Sequence, residues 1–203
     1  PGTRTADWAI SVRATGVLGA ASGTVEVLTA DEAARDVVKG VFEAWRTRQA
    51  GAIARRDFAW DLRLGLKDEP WGETWKGWLL LRRDASGAVD GYARYKASPK
   101  WDPLPQGDLH VPELIALTDD AYADLVRFLL SIDLVGTVKL GGRRSDERLR
   151  WLLTNARAAR PMDAGDGLWV RLFDVPRALE ARTYEHSGSM VLELVDDDDG
   201  GFF

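Results

Sequence analysis

Along Leu168–Phe173, Leu168, Val170 and Leu172 alternate with Trp169 and Arg171, the two-residue period of a β-strand. Asp174 then stands where it can cap a helix, with Pro176 in the first turn and Leu179 on the buried side. Thr5–Arg13 likewise reads as a strand turning Trp8, Ile10 and Val12 to one side, and Gly16–Gly23 is small and flexible, which suits a linker. Val25, Val27 and Leu28 mark the next strand, after which Thr29 and Glu32 have capping-box spacing. The helix so opened lines up Ala34, Val37, Val38, Val41, Phe42 and Trp45 at a 3.6-residue period. A second helix is predicted over 54–66, carrying Phe58, Leu62 and Leu66 inward and leaving Trp60 off that line.

Trp75–Arg83 and Ala88–Ser98 read as a hairpin turned at Asp84–Gly87. Leu109–Leu117 is a strand interrupted by Pro112, and Thr118 caps a helix over 119–133 with Ala121, Leu125, Phe128, Leu129 and Ile132 inward. Leu134–Leu140 is a strand, and Asp146–Ala158 is a helix behind a Ser145 cap. Met190–Val195 reads as a strand, Asp196–Gly201 as an acidic turn, and Phe202 and Phe203 as the opening of another strand. A strand leaves its backbone unpaired without neighbours, so the patterns at both ends predict partners outside the chain. The order β–α–α–β–β–β–α–β–α–β predicts an α/β fold, a mixed central sheet flanked by helices, similar to the Gcn5-related (GNAT) acyl-CoA N-acyltransferase fold.

Composition narrows the function. A net charge of −5 and an isoelectric point near 5.2 argue against general affinity for nucleic acid or anionic membranes. The chain has no cysteine, which excludes thiolate nucleophiles and zinc–thiolate sites, and only His110 and His186 are available as imidazole ligands. No apolar run approaches the ~20 residues of a membrane span. A cytoplasmic protein is expected.

The tract Asp166–Tyr184, DGLWVRLFDVPRALEARTY, closely resembles the junction between the second acetyltransferase-like domain and the sterol-carrier-like C-terminal domain of Eis-type (enhanced intracellular survival) N-acetyltransferases. GYARY at Gly91–Tyr95, WD at Trp101–Asp102 and LRWLL at Leu149–Leu153 are similar to further phrases of that family. The resemblance implies three segments: 1–22 as the closing strand and linker of a preceding GNAT domain, 23–173 as a second GNAT-like domain, and 174–203 as the start of the sterol-carrier-like domain. It also implies a parent enzyme, a homo-oligomer, that transfers acetyl from acetyl-CoA to amines of aminoglycoside- or polyamine-like substrates. The family's general acid is a tyrosine of the first domain and its general base the terminal carboxylate. Neither falls in this chain by resemblance, and Phe203 is not that terminus. The competing expectation is a free-standing binding or interaction module on a degenerate acetyltransferase fold.

The residues themselves oppose a cofactor site. The GNAT pyrophosphate loop, [RQ]-x-x-G-x-[GA], uses glycines to bring backbone N–H groups to the phosphates and a helix N-terminus to face them. The corresponding stretch, Pro112–Ala121, has no glycine and no basic residue, and carries Glu113, Asp119 and Asp120. The expectation is therefore a chain that binds no acetyl-CoA and has no catalytic residue of its own. Arg13–Leu18 matches the loop only in part and precedes no helix. Gly141-Gly142-Arg143-Arg144 can be read as an anion loop or, more simply, as a turn with solvated arginines. His110 and Glu113 have HxxE spacing with a proline between them, and Tyr92, Tyr95, Tyr122 and Tyr184 include candidate general acids, none with a base nearby in sequence. Asp196–Gly201 resembles a calcium loop but has Gly200 where an oxygen ligand is required. Of the nine tryptophans, those off the apolar faces are read as covered by another domain or subunit, the alternatives being ligand stacking and plain core. Trp60 and Trp169 are the candidates for a substrate-pocket wall.

Overall fold

Leu79, Leu80 and Leu81 are consecutive and all buried, which a strand permits only when both of its faces are covered. They lie in β3 (Trp78–Arg83), which pairs antiparallel with β2 (Thr24–Leu28) and with β4 (Val89–Ser98). In the computed structural model, which describes residues 2–144 and 146–193, these strands belong to a seven-stranded mixed sheet. Its further members are β7 (Gly107–Ala116), β8 (Val135–Arg144), β1 (Gly2–Ser11) and β9 (Ala159–Trp169), in the order β2-β3-β4-β7-β8-β1-β9. A short ribbon of β5 (Trp101–Asp102) and β6 (Leu104–Pro105) stands apart from it. Among the described residues only β7 and β8 run parallel.

One face is covered by α1 (Glu32–Arg46) and α2 (Asp57–Leu64), whose Val38, Phe42, Trp60 and Leu64 pack with Leu79, Leu81, Tyr92 and Ile115. The other is covered by α3 (Asp119–Ser131) and the short α4 (Leu149–Leu152), where Leu125, Leu129 and Leu149 meet Leu80, Ala93, Leu109, Val111 and Leu140. Each fully buried aliphatic side chain contributes about 1.5–3 kcal/mol, so the two layers together are the main source of stability. Thr118 caps α3 as expected, accepting from Ala121 N at 3.1 Å. The cap of α1 is Asp31, accepting from Ala34 N at 2.7 Å, and not Thr29.

In α2 the expected phase is inverted. Trp60 is 1% exposed and Phe58 55%. Gly65, at φ +71°, ends the helix in the left-handed conformation, and a Cβ there would lie 2.2 Å from the Trp75 carbonyl oxygen. Beyond α3, the helix expected over 146–158 reduces to α4 and a 3₁₀ turn at Ala156–Ala158, and the Ser145 cap lies outside the described residues.

The strand expected in a neighbouring sheet lies inside this one. β1 pairs antiparallel with β8 and with β9, with Ile10 opposite Val138 on one side and Ala159 on the other. That placement removes the support a separate sheet would have given to a boundary after residue 22. Nor is 16–23 a free linker. Gly16 N donates to Thr154 Oγ1 at 2.9 Å, Leu18 N to Leu152 O at 2.8 Å, and Gly23 N to Asp124 Oδ2 at 3.0 Å. Asp124 is itself held by the buried Arg82 at 2.9 Å, and a Cβ at Gly23 would meet the Arg83 carbonyl oxygen at 2.2 Å.

The chain divides into two units, Pro1–Trp169 and Val170–Phe203. In the second, α5 (Val175–Glu180) is capped by Asp174, which accepts from Arg177 N at 3.0 Å, in line with the sequence. The strand expected over Leu168–Phe173 ends at Trp169, and 190–193 are not in a strand. The acidic turn at Asp196–Gly201 and Phe202–Phe203 lie outside the described residues. No helix among the described residues is long and apolar enough to cross a membrane.

Candidate functional site

The one parallel pair in the sheet does not stay paired. β7 and β8 pair from Gly107 opposite Val135 to Val111 opposite Leu140, with a register shift after Gly107, and there the ladder stops. Beyond it β7 turns to β4 alone, with Glu113 opposite Arg94, while β8 follows β1. Two parallel strands that part in this way leave a crevice lined by unpaired backbone groups. Arg143 fills it. Its Nη1 donates to the Leu114 carbonyl oxygen at 2.8 Å, and its Nε donates to Glu147 Oε2 at 2.6 Å. Glu147, whose side chain is 5% exposed, also accepts from the Tyr122 hydroxyl at 2.8 Å and from Leu149 N at 3.2 Å. Burial pushes the Tyr122 hydroxyl well above its ordinary range, so it stays a neutral donor.

Part of the helix end beside the crevice is occupied as well. Only Leu117 and Thr118 separate β7 from α3. Leu117 N donates to Asp90 O at 2.9 Å, and Ala121 N is taken by the Thr118 side chain. Asp119 and Asp120 occupy the first turn, exposed, and Asp119 accepts from Arg148 at 3.0 Å. Glu113, expected in the same place, is not there. It is a buried residue of β7 whose Oε1 is 2.5 Å from Arg55 Nη2.

The remaining candidates do not assemble into a catalytic group. Gly141–Arg144 is the end of β8: Arg143 is inside the crevice, and Arg144 is exposed and paired with Asp146 at 2.9 Å. Neither the anion-loop nor the solvated-turn reading describes Arg143. His110 is exposed while Glu113 is buried, so their HxxE spacing does not converge. Trp60 is packed edge-on against Phe42 with ring centroids 5.3 Å apart, deep in the α1–α2 core, whereas Trp169 is 71% exposed at the end of β9. The structure does not bring these two into one cavity wall. Sequence reasoning missed the Arg143–Glu147–Tyr122 group, for which the i, i+4 spacing of Arg143 and Glu147 was the only local signal. Among the described residues no cluster of His, Asp and Glu can hold a metal ion.

Residues 51–172 match the family model described as acetyltransferase (GNAT) domain, more than half of the chain. The chain belongs to the GNAT acetyltransferase family. An uncharacterized N-acetyltransferase of Streptomyces avermitilis is 37% identical over 203 residues, which cover 96% of this chain and 48% of the relative. N-acetyltransferase Eis of Mycobacterium tuberculosis is 34% identical over 173 residues, 83% of this chain and 39% of its own. The crystal structure of Eis1 from Mycobacterium abscessus superposes with a TM-score of 0.70 at 31% identity, covering 90% of this chain and 45% of that one. The chain thus spans about half the length, or less, of these relatives.

GNAT acetyltransferases use acetyl-CoA, and the residues present do not fit it. A pyrophosphate needs free backbone N–H groups at the start of α3, and here those of Leu117 and Ala121 are engaged. Asp119 and Asp120 add negative charge at the same helix end, that of Asp119 partly offset by its exposed pair with Arg148. Where β7 and β8 part, the Leu114 carbonyl oxygen already accepts from Arg143.

Proposed function

We propose that this chain is a non-catalytic portion of an acetyl-CoA-dependent N-acetyltransferase acting on amines of the aminoglycoside or polyamine kind. Its work is packing, walling a substrate pocket and contacting other copies of the parent. The observation that carries this reading is the closed crevice: Arg143 bonded to Leu114 O between the parting strands, with Asp119 and Asp120 at the adjoining helix end. Relatives about twice as long, described as N-acetyltransferases, support a parent that supplies the missing cofactor site. Exposed Trp71, Trp151 and Trp169 support a packing role, because large aromatic faces are favourable only when covered. A preceding GNAT domain, a sterol-carrier-like domain and a cytoplasmic setting complete the proposal.

Calorimetric titration of the 203-residue chain with acetyl-CoA, alongside a thiol-release assay with a polyamine or aminoglycoside acceptor, tests it. The expected outcome is no binding and no thiol release by this chain, with both present in the full-length parent. Micromolar binding by the chain alone refutes the reading.

A further inference from the structure

The segment from Gly65 to Gly77, between α2 and β3, folds back on itself and is stapled at its base. A Cβ at Gly65 would lie 2.2 Å from the Trp75 carbonyl oxygen, and the Trp75 ring centroid is 4.5 Å from Cζ of the buried Arg94. Inside that base, Thr74 Oγ1 accepts from Glu69 N at 3.1 Å and donates to Asp68 Oδ1 at 3.1 Å. The tip held out by these contacts is Pro70-Trp71-Gly72, and Trp71 is 93% exposed. Asp68, Glu69 and Glu73 flank it, while Lys67 is drawn away to Asp61 at 2.8 Å. A large aromatic on a loop already fixed in place suits the anchor of a protein contact, because little ordering remains to be done on binding.

Beside this tip the sheet has an uncovered face. Tyr95, Leu109, Val138, Ile10 and Ala159 point into the α3–α4 layer, so their neighbours Lys96, His110, Lys139, Ala9 and Arg160 face the other way. The register sets these five side by side across β4, β7, β8, β1 and β9. Among the described residues, the α1–α2 layer draws no core residue from β8, β1 or β9. Lys96, His110 and Arg160 are exposed, and Lys139 is half-buried. The carboxylates of the same face are engaged at home: Asp108 holds Lys139 at 2.5 Å, and Asp7 accepts from Gly142 N at 2.8 Å.

The acidic tip and the basic row adjoin. They meet where Glu73 is 3.8 Å from Lys96, with 94% of the Glu73 side chain exposed, so within one chain they leave each other open. Two surfaces of opposite charge that lie edge to edge on one molecule are complementary to the same pair on a second copy turned by a two-fold axis.

We propose that two copies of this chain dock through this patch, each placing its Trp71 tip on the row from Lys96 to Arg160 of the other. Ala9, the small member of the row, leaves a seat for the indole between Lys139 and Arg160, whose cations lie beside the ring. Asp68, Glu69 and Glu73 then come over side chains of opposite sign. The proposal rests on the reading that this chain contacts other copies of its parent, and it is independent of acetyl-CoA binding.

Sedimentation velocity of the 203-residue chain over a concentration series, at low and high salt, is the test. A reversible monomer–dimer equilibrium is expected, weakened by salt and weakened about 30-fold by Trp71→Ala, the loss of one anchor residue. Two charge-reversed variants check the reciprocity. Glu69→Lys with Glu73→Lys gives a basic tip beside a basic row, and Lys96→Glu with Arg160→Glu an acidic tip beside an acidic row. Each variant alone is expected to stay monomeric, and their equimolar mixture to dimerise. A chain that is monomeric at every concentration overturns the proposal and leaves the tip to a different protein. A dimer that tolerates Trp71→Ala, or a mixture that does not associate, also overturns it, while contact between copies stands through another surface.

Discussion

Arg143→Met tests the crevice directly, because methionine keeps much of the arginine stem and removes the guanidinium. The substitution strands the Leu114 carbonyl oxygen, a loss of about 1–3 kcal/mol for a buried acceptor. It also leaves the Glu147 carboxylate without its cation. Glu147 retains the Tyr122 hydroxyl and Leu149 N as donors, which softens the effect. Breaking a buried pair costs about 3–5 kcal/mol, and because the Arg143 side chain is 18% exposed the lower end applies. A loss of about 3 kcal/mol is expected in urea denaturation, a large part of the 5–15 kcal/mol that domains usually have. Glu147→Gln in the Arg143→Met background should recover about 1 kcal/mol or more, since it removes the unpaired charge and keeps an acceptor for Tyr122. Opening the crevice should not create acetyl-CoA binding, because α3 still presents Asp119 and Asp120. A loss under ~0.5 kcal/mol, typical of an exposed ion pair, would refute the assignment of Arg143 as the group that closes the crevice.

Two further outcomes follow from the packing and the charges. Trp60→Ala should destabilise by about 3–5 kcal/mol while Phe58→Ala costs under about 1 kcal/mol, and equal losses in thermal or urea unfolding would mean that α2 has the other phase. Asp124 titrates below its ordinary value: burial opposes ionisation, but bonds from Arg82 and the Ser22 and Gly23 amides outweigh it. Because the folded pKa is depressed, its contribution is complete above the unfolded carboxylate range and is lost as pH falls through the folded value. The protection of the Ser22 and Gly23 amides against hydrogen exchange, relative to the unstructured chain at the same pH, should accordingly fall as pH drops below the ordinary carboxylate range, and Asp124→Asn should show low protection at neutral pH.

What the sequence disclosed was local. α3 is legible because Thr118, an acidic first turn and a long apolar stripe agree with one another. The hairpin of β3 and β4 is legible because its turn at Asp84–Gly87 is short and polar, and Asp84 accepts from Ser86 N and Ala88 N. α2 was misphased because eight residues give only two turns of signal. Its register is set from outside, by Arg35 reaching Asp61 at 2.9 Å and by the Gly65 stop. The absence of a phosphate loop was readable in the composition of Pro112–Ala121, but its reason was only half visible. Glu113 lies away from the helix end in a different layer, and the group that fills the crevice comes from 143, 147 and 122. The buried pair of Arg55 and Glu113 joins the segment after α1 to β7, and no spacing rule connects them.

The interior position of β1 also has a temporal consequence. Asp7 meets Gly142 across a separation of 135 residues, so the strand and both its neighbours are joined only late in the chain. At synthesis rates of about 5–20 residues per second, β1 waits roughly 7–27 seconds for β8 to emerge. Through that interval Trp8 and Ile10 lack the strand partners they have in this sheet, while β2, β3 and β4 already have one another. β1 is thus expected to join this sheet after the strands that follow it in the sequence have paired with one another.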